Sequence, residues 1–359
     1  MRTFGVAFIF RFCFVVFRFS LFIFLLVGCR SHGREKKVVL YTDTPESLTL
    51  ELAKLFEEKH GIKVEAVMEG TSWLMTRLRA ERARPIADVF MGASGVLPGV
   101  IGAREGWLDR YVPVGWENLP EKEGKLWLRD REWKWVGFGF ASLGLAYSLK
   151  HTTAEELPER WEDLSQPQWK SSLTIWDPSV SGTATLFLAS FLQRARLAGR
   201  GEAAGWEDLR GFYRNLKKYA EEGPPAFLVA QGLVRLGVHL DNQFLYYRRK
   251  AKISAQELRF YLPEQSVILT DPVALVSGAP HPQEAKLLID FFLSPSAQEI
   301  LSRTFWVRSA AGELRLPSEH PYAGVAAAEL LARALTLDID WMANNFDRAR
   351  IYWQNEIEE

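Results

Sequence analysis

Val38-Val39-Leu40-Tyr41-Thr42-Asp43-Thr44-Pro45 begins the stretch that decides the fold, because a short β-rich run passes straight into a helix start. Thr44 is suited to an N-cap and Pro45 to the first helical position, where its missing N–H costs nothing. A helix is expected over about 46–59, with Leu48, Leu52, Leu55 and Phe56 on one face and an end near Gly61. The pattern then recurs. A strand at 62–67 leads through Gly70-Thr71-Ser72 into a helix at 73–83, and a strand at 88–91 leads into Gly92-Ala93-Ser94-Gly95. Strand and helix alternating at this spacing predict parallel strands joined by right-handed crossovers.

Further along, residues 133–147 are dense in aromatics, glycines and β formers, as expected of strands leaving one sheet for another. Leu173-Thr174-Ile175-Trp176 is a strand entering Asp177-Pro178-Ser179-Val180-Ser181-Gly182-Thr183, and a helix follows over about 182–197, closed by Gly199. Strands are expected at 232–240 and 265–276, then amphipathic helices at 282–293 and 296–302. Residues 339–353, aromatic and acidic, are a helix that braces the folded chain or a docking surface. Proline and glycine are spread throughout, so the chain crosses between its two halves without a flexible linker.

The 359 residues carry 44 Lys+Arg against 44 Asp+Glu, with 48% hydrophobic and 25% charged residues, which is a folded globular composition. The length suggests about two domains, and zero net charge gives no general attraction to nucleic acid. The first 28 residues carry Arg2, Arg11 and Arg18 and no acid, and the last arginine is followed by an uncharged run over 19–27. A basic start, an apolar core too short to span a bilayer and small residues at its end have the layout of a secretory signal. Leu26-Val27-Gly28-Cys29 resembles a bacterial lipobox, which makes Cys29 the first mature, lipidated residue and residues 29–36 a tether. Cys13 lies in the discarded segment, so the exported chain has no thiol pair for a disulfide.

Four strand-to-helix turns, at 42–44, 71–72, 94 and 181–183, carry small hydroxyls. In an open α/β sheet such turns lie at the carboxyl ends of strands, where ligands bind, and helix N-termini there present N–H groups to an oxyanion. Each hydroxyl alone is an ordinary helix cap; their convergence points to a site at Thr42, Thr44, Ser94, Ser181, Gly182 and Thr183. Asp241-Asn242-Gln243-Phe244-Leu245-Tyr246-Tyr247 gathers an acid, two amides and two phenols, which suit a hard cation or the polar end of an organic ligand. It reads equally as a helix start capped by Asp241. Trp176 is the tryptophan closest to a predicted ligand turn.

Catalytic signatures are missing: there is no G-x-S-x-G, no phosphate loop and no H-E-x-x-H, and Gly137-Phe138-Gly139-Phe140-Ala141-Ser142 lacks the last glycine of a dinucleotide fingerprint. The six histidines, at 32, 60, 151, 239, 281 and 320, form no i,i+4 pair. His60 suits a helix C-terminus, and His239 is either a satisfied strand histidine or a pocket wall. A binding protein without a cofactor is therefore expected. An envelope lipoprotein hydrolase or a structural envelope protein are the alternatives of another class.

The lipobox, the Val-Leu-Tyr-Thr start, Ala87-Asp88-Val89-Phe90-Met91-Gly92, Gly106-Trp107-Leu108, Trp161-Glu162-Asp163-Leu164, Asp177 through Ala184, and the segment 280–301 together resemble the extracellular solute-binding proteins of bacterial ABC importers. The similarity is closest to the branch of ferric-iron, aminoethylphosphonate and hexose-phosphate binders. It implies a type II periplasmic-binding-protein fold: two lobes built on mixed sheets flanked by helices, closing about a hinge on a small solute that passes to a membrane permease. Lobe one would comprise 37–135 and 270–359, and lobe two 136–269.

The resemblance assigns the hydroxyl turns to an oxyanion and favours a phosphonate or organic phosphate, with Asp241 and Asn242 reading its amine or hydroxyl end. The alternative solute is ferric iron on Tyr246, Tyr247 and Asp241. Iron binders of this branch place adjacent tyrosines shortly after a strand-ending asparagine, whereas Phe244-Leu245 occupy those positions here and the tyrosines come about two residues later. A monomeric lipoprotein held at the membrane surface of the cell envelope, serving transport or sensing, completes the expectation.

Overall fold

The computed structural model describes residues 36–358 apart from 93, 222 and 309–311. The signal segment and Cys29 lie outside the described residues.

Strand β1 (Lys37–Thr42) leads to helix α1 (Glu46–His60), β2 (Lys63–Met68), α2 (Thr71–Ala80), β3 (Val89–Met91), α3 (Leu97–Glu105) and β4 (Leu108–Asp109). β1 pairs in parallel with both β2 and β3, as the alternation predicts. α1 begins after Pro45, whose extended backbone makes it the cap residue; the Thr44 hydroxyl bonds instead to Thr42 and Thr49. Gly61 closes the helix in the left-handed conformation, which glycine adopts without a Cβ penalty. α2 starts directly after Gly70, so Thr71 and Ser72 belong to its first turn rather than to a preceding loop.

A hairpin of β5 (Lys122–Glu123) and β6 (Leu126–Trp127) precedes β7 (Val136–Ser148), a thirteen-residue strand that is buried throughout. Then come β8 (Leu173–Ile175), α4 (Gly182–Leu197), α5 (Glu202–Asn215), β9 (Leu216–Tyr219), α6 (Pro225–Ala230), β10 (Leu236–Leu240), α7 (Asp241–Lys250), β11 (Leu258–Tyr261) and β12 (Ile268–Val276). The α4 limits coincide with the reading from sequence, because Ser181 accepts the Ala184 N–H at 3.2 Å and caps the helix. Helices α8 (Pro282–Phe292), α9 (Pro295–Leu301), α10 (Ala327–Arg333) and α11 (Ile339–Glu356) complete the chain.

The strands form one mixed ladder in the order β2-β1-β3-β12-β7-β10-β8-β9, with helices packed on it. Its centre is antiparallel. Residues 136–142 of β7 pair with β12, and residues 143–148 pair with β10 and β11, so one strand joins the two ends of the ladder. Gly139 and Gly144 permit close packing across this strand: a Cβ would come within 3.0 Å of the Phe305 ring at the first and 2.4 Å of the Phe260 ring at the second. α11 packs on α3 and also on α4 and α5. Trp206 and Tyr352 stack with centroids 4.1 Å apart, and Arg196 and Arg104 pair with Asp338 and Asp340. It therefore braces helices from 97–105 and from 182–215 alike.

At the crossover lies Asp241, the first residue of α7 and wholly buried. Its Oδ2 accepts hydrogen bonds from the Ser142 hydroxyl, from Trp306 Nε1 at 2.8 Å and from His320 Nε2 at 3.1 Å. His320 Nδ1 accepts the Tyr322 N–H, which fixes the tautomer with the proton on Nε2. Asp241→Ala would leave an indole N–H and an imidazole N–H buried without an acceptor. A loss of about 3 kcal/mol in unfolding free energy is expected, measured by urea denaturation; a midpoint unchanged from wild type would show the carboxylate to be dispensable.

Candidate ligand-binding cleft

A cleft of about 460 Å³ opens where the turns after β1, β2 and β3 face the start of α4 and the side of α7. One wall is Asp43 to Glu46, Glu69 to Thr71 and Ser94. The opposing wall is Trp176, Val180 to Gly182, Gln243 and Tyr247. Parallel pairing of β1 with β2 and β3 places the first three turns side by side, as expected at the carboxyl ends of strands.

Asp43 joins those turns. Its Oδ2 accepts the Thr71 hydroxyl at 2.5 Å and the Ser94 hydroxyl at 2.6 Å, two donors from separate strand-to-helix connections. Beside it, Thr42 and Thr44 share a hydroxyl contact of 2.8 Å, and Thr44 continues to Thr49 at 2.7 Å. Three helix N-termini, those of α1, α2 and α4, therefore reach the cleft, each presenting N–H groups that no carbonyl of its own helix can take.

Two hydroxyls at these helix starts are buried without a hydrogen-bond partner: Ser72 Oγ on α2 and Thr183 Oγ1 on α4. Both belong to the first turns of helices whose starts reach the cleft.

Of the residues singled out from sequence, Thr44, Ser94, Ser181 and Gly182 line the cleft. Thr42 and Thr183 are fully buried just behind it. Asp241 and Asn242 are buried outside the lining, Asp241 in the crossover bonds and Asn242 with its Nδ2 donating to Asp271 at 3.3 Å. The α7 side chains that reach the cleft are Gln243 and Tyr247. Tyr246 points its hydroxyl at Ser47 Oγ, 2.7 Å away on α1, and so bridges the two walls outside the cavity. Burial and the neighbouring Tyr246 raise the Tyr247 phenol above its usual range.

The sequence reading passed over Asp43, Glu46 and Glu69, which carry no motif; it did place Trp176 and the amide of Gln243 near the site. Tyr41 is committed to Glu81, and burial lifts its phenol to about 12. His239 resolves as a strand histidine, its Nδ1 donating to the Leu240 carbonyl at 3.0 Å and its pKa lowered to about 4 by burial. His60 does end α1, stacked on Phe56. Among the described residues no group of three His, Cys, Asp or Glu is placed to hold a metal ion, and no helix is long and apolar enough to cross a membrane.

Residues 84–331 match the profile of the bacterial extracellular solute-binding proteins. The chain belongs to that family. This solute-binding protein is 25% identical over 285 residues to iron uptake protein A1 of Synechocystis sp., an alignment covering 76% of this chain and 75% of the relative. It is 24% identical over 282 residues to a putative 2-aminoethylphosphonate-binding periplasmic protein of Salmonella paratyphi A, covering 76% and 77%. In fold it is similar to the periplasmic binding protein AfuA from Actinobacillus pleuropneumoniae, solved with exogenous fructose-6-phosphate bound. The TM-score is 0.72 at 23% identity, over 90% of this chain and 99% of that one. The type II periplasmic-binding-protein fold expected from sequence is thus the fold observed, and the proteins it resembles bind solutes rather than transform them.

In this solute-binding protein the cleft lips touch. A Cβ on Gly70 would stand 2.7 Å from the Val180 carbonyl oxygen, and one on Gly182 would stand 2.7 Å from Thr71 Oγ1. Gly70→Ala is expected to hold the walls apart and enlarge the radius of gyration in small-angle scattering relative to wild type; superimposable curves would show that the lips adjust without opening.

Beneath the cleft floor, Asp271 accepts the Gly95 N–H at 2.9 Å on one oxygen and Asn242 on the other. Complete burial, reinforced by the charges of Asp43 and Asp241, raises its pKa well above the carboxylate range. A raised pKa means that the folded protein retains a proton which the unfolded chain releases above about pH 4. Stability is therefore greatest below that point and declines as pH rises through the folded value. Asp271→Asn should flatten this decline in thermal melts taken between pH 4 and 7, whatever its effect on absolute stability; an unaltered slope would clear Asp271 of the effect.

Proposed function

We propose that this chain is the substrate-binding lipoprotein of an ABC importer, capturing a small organic phosphate or phosphonate in the cleft and delivering it to the membrane permease. Cys29 anchors it to the envelope membrane, and the chain acts as a monomer that binds without catalysis. Residues 37–135 and 270–359 act as one lobe and 136–269 as the other, with β7 and β12 as the hinge strands. Sensing through a separate membrane partner would use the same cleft.

The observation that carries the reading is the start of α4. Ser181 and Gly182 line the cavity, and the Thr183 hydroxyl behind them is buried with no partner. An oxyanion seated there meets the free N–H groups of the first helical turn, a partial positive charge of about half a unit and the missing acceptor for that hydroxyl. Gly182 leaves the main chain open to close approach. Thr44 and Ser94 act from the facing wall. Asn242 acts indirectly by ordering α7, and Gln243 takes over the reading of the ligand's polar end, the role expected of Asp241 and Asn242.

Ferric iron is less favoured because the two tyrosines divide. Tyr247 reaches the cleft, whereas Tyr246 is engaged by Ser47 and Asp241 is enclosed by three donors. A phenol whose pKa is raised by burial also gives less of the phenolate that a ferric ion requires.

Thermal-shift titration of the purified protein tests the class: phosphate-bearing and phosphonate-bearing organic compounds should raise the midpoint progressively with concentration, and ferric citrate should not. Thr183→Val, which removes an unpartnered hydroxyl at constant volume, should leave the ligand-free midpoint unchanged or higher while weakening binding about tenfold. Stabilisation by ferric citrate alone would overturn the reading.

A further inference from the structure

The two edges of the cleft meet by different means. Along the α2–α4 edge the approach is steric: a Cβ on Gly70 or Gly182 would stand 2.7 Å from the opposing wall. Along the other edge it is bonded, and the bonds join α1 to α7. These helices border β1 and β10, which three strands separate in the ladder, so strand pairing does not hold them together. Tyr246 and Ser47 share a hydroxyl hydrogen bond of 2.7 Å across 199 residues of chain. Pro45 and Glu46 beside the one, and Gln243 and Tyr247 beside the other, line the cavity, which sets the bond at its rim. One turn further along each helix a second tie runs between them. Arg249 donates to the Arg303 carbonyl at 3.1 Å, and the Arg303 guanidinium reaches Glu51 on α1 at 2.8 Å. Glu319 also pairs with Arg249, at 3.1 Å.

Ser47, Glu51, Arg249 and Arg303 are exposed, so water replaces a lost partner and these bonds add little to folding. What they fix is the distance between two walls. We propose that Tyr246 and Arg303 form a two-part latch at the cleft rim. They are positioning residues that touch no solute and set how tightly any solute is held, by favouring the arrangement in which the walls meet. The inference rests on the reading that the cleft closes about a solute, and not on which solute that is. Apparent affinity is the intrinsic affinity multiplied by the fraction of molecules already closed, so weakening the latch lowers it by one factor for every solute. The Tyr246 ring stands at 79° to that of Tyr247 with centroids 5.1 Å apart, so anchoring its hydroxyl also steadies the phenol that lines the cavity. The two parts differ in kind. The hydroxyl pair is neutral, whereas the Arg303–Glu51 bridge is ionic and is screened by salt.

Small-angle scattering and calorimetry on the purified protein test both parts. Tyr246→Phe and Arg303→Met should each keep the wild-type urea midpoint, and each should enlarge the radius of gyration in solute-free solution. Raising the salt from about 50 mM to about 1 M should enlarge it further in Tyr246→Phe, whose remaining tie is ionic, and leave it unchanged in Arg303→Met, whose remaining tie is neutral. Among 2-aminoethylphosphonate, fructose 6-phosphate and ferric citrate, each that binds the wild type should bind Tyr246→Phe about fivefold more weakly, by one common factor. Should none bind, the scattering decides alone. Unchanged radii, or a lowered urea midpoint at unchanged radius, would overturn the latch. So would a loss confined to one solute, which would make Tyr246 a contact of that solute. Binding of ferric citrate alone would remove the oxyanion reading, while its fivefold weakening in Tyr246→Phe would still support the latch.

Discussion

Everything in this molecule is hung on a single thirteen-residue strand that has no exposed position. β7 lends its first half to β12 and its second to β10 and β11, so the two parallel sets of strands are not separate sheets joined by a linker but extensions of one backbone ladder. Such a strand must be apolar on both faces, and it must also be thin where neighbours cross it. The sequence Val136-Gly137-Phe138-Gly139-Phe140 meets both demands by alternating bulk with none. The Asp241 bonds to Ser142, Trp306 and His320 then fasten the midpoint of that strand to α7 and to the late part of the chain.

From this arrangement the cleft follows geometrically. Parallel strands on either side of an antiparallel centre aim their carboxyl ends at a common gap, and the helices that follow them aim their N-termini there too. The chain needs no catalytic constellation to make such a gap selective. Backbone N–H groups, small hydroxyls and a few carboxylates distinguish solutes by charge placement, and burial of those groups makes a mismatch expensive.

Much of the fold was legible because its signals are local. The start of α4 could be placed from Ser181-Gly182-Thr183 and its end from Gly199, since capping and left-handed closure depend on a few neighbouring residues. The alternation of strand and helix over the first sixty residues of the folded chain was equally local. The misplacements have the opposite character. Asp43 matters because Thr71 and Ser94 arrive from 28 and 51 residues away, and no spacing rule announces such a meeting. Asp241 looked like a ligand group because an acid followed by two amides and two phenols is rare. Its partners Trp306 and His320 lie 65 and 79 residues further on and claim it for the interior. Periodicity decides which face of a helix is covered, but which polar side chain becomes a strut and which reaches solvent is decided by distant chain.

The C-terminal helix lies against α3 on one side and α4 and α5 on the other, on ion pairs and stacked rings that do not involve the cavity. Together with the shared strand it makes a second tie between elements that stand far apart in the chain, so neither set of helices can shift against the other without breaking ion pairs and stacked rings.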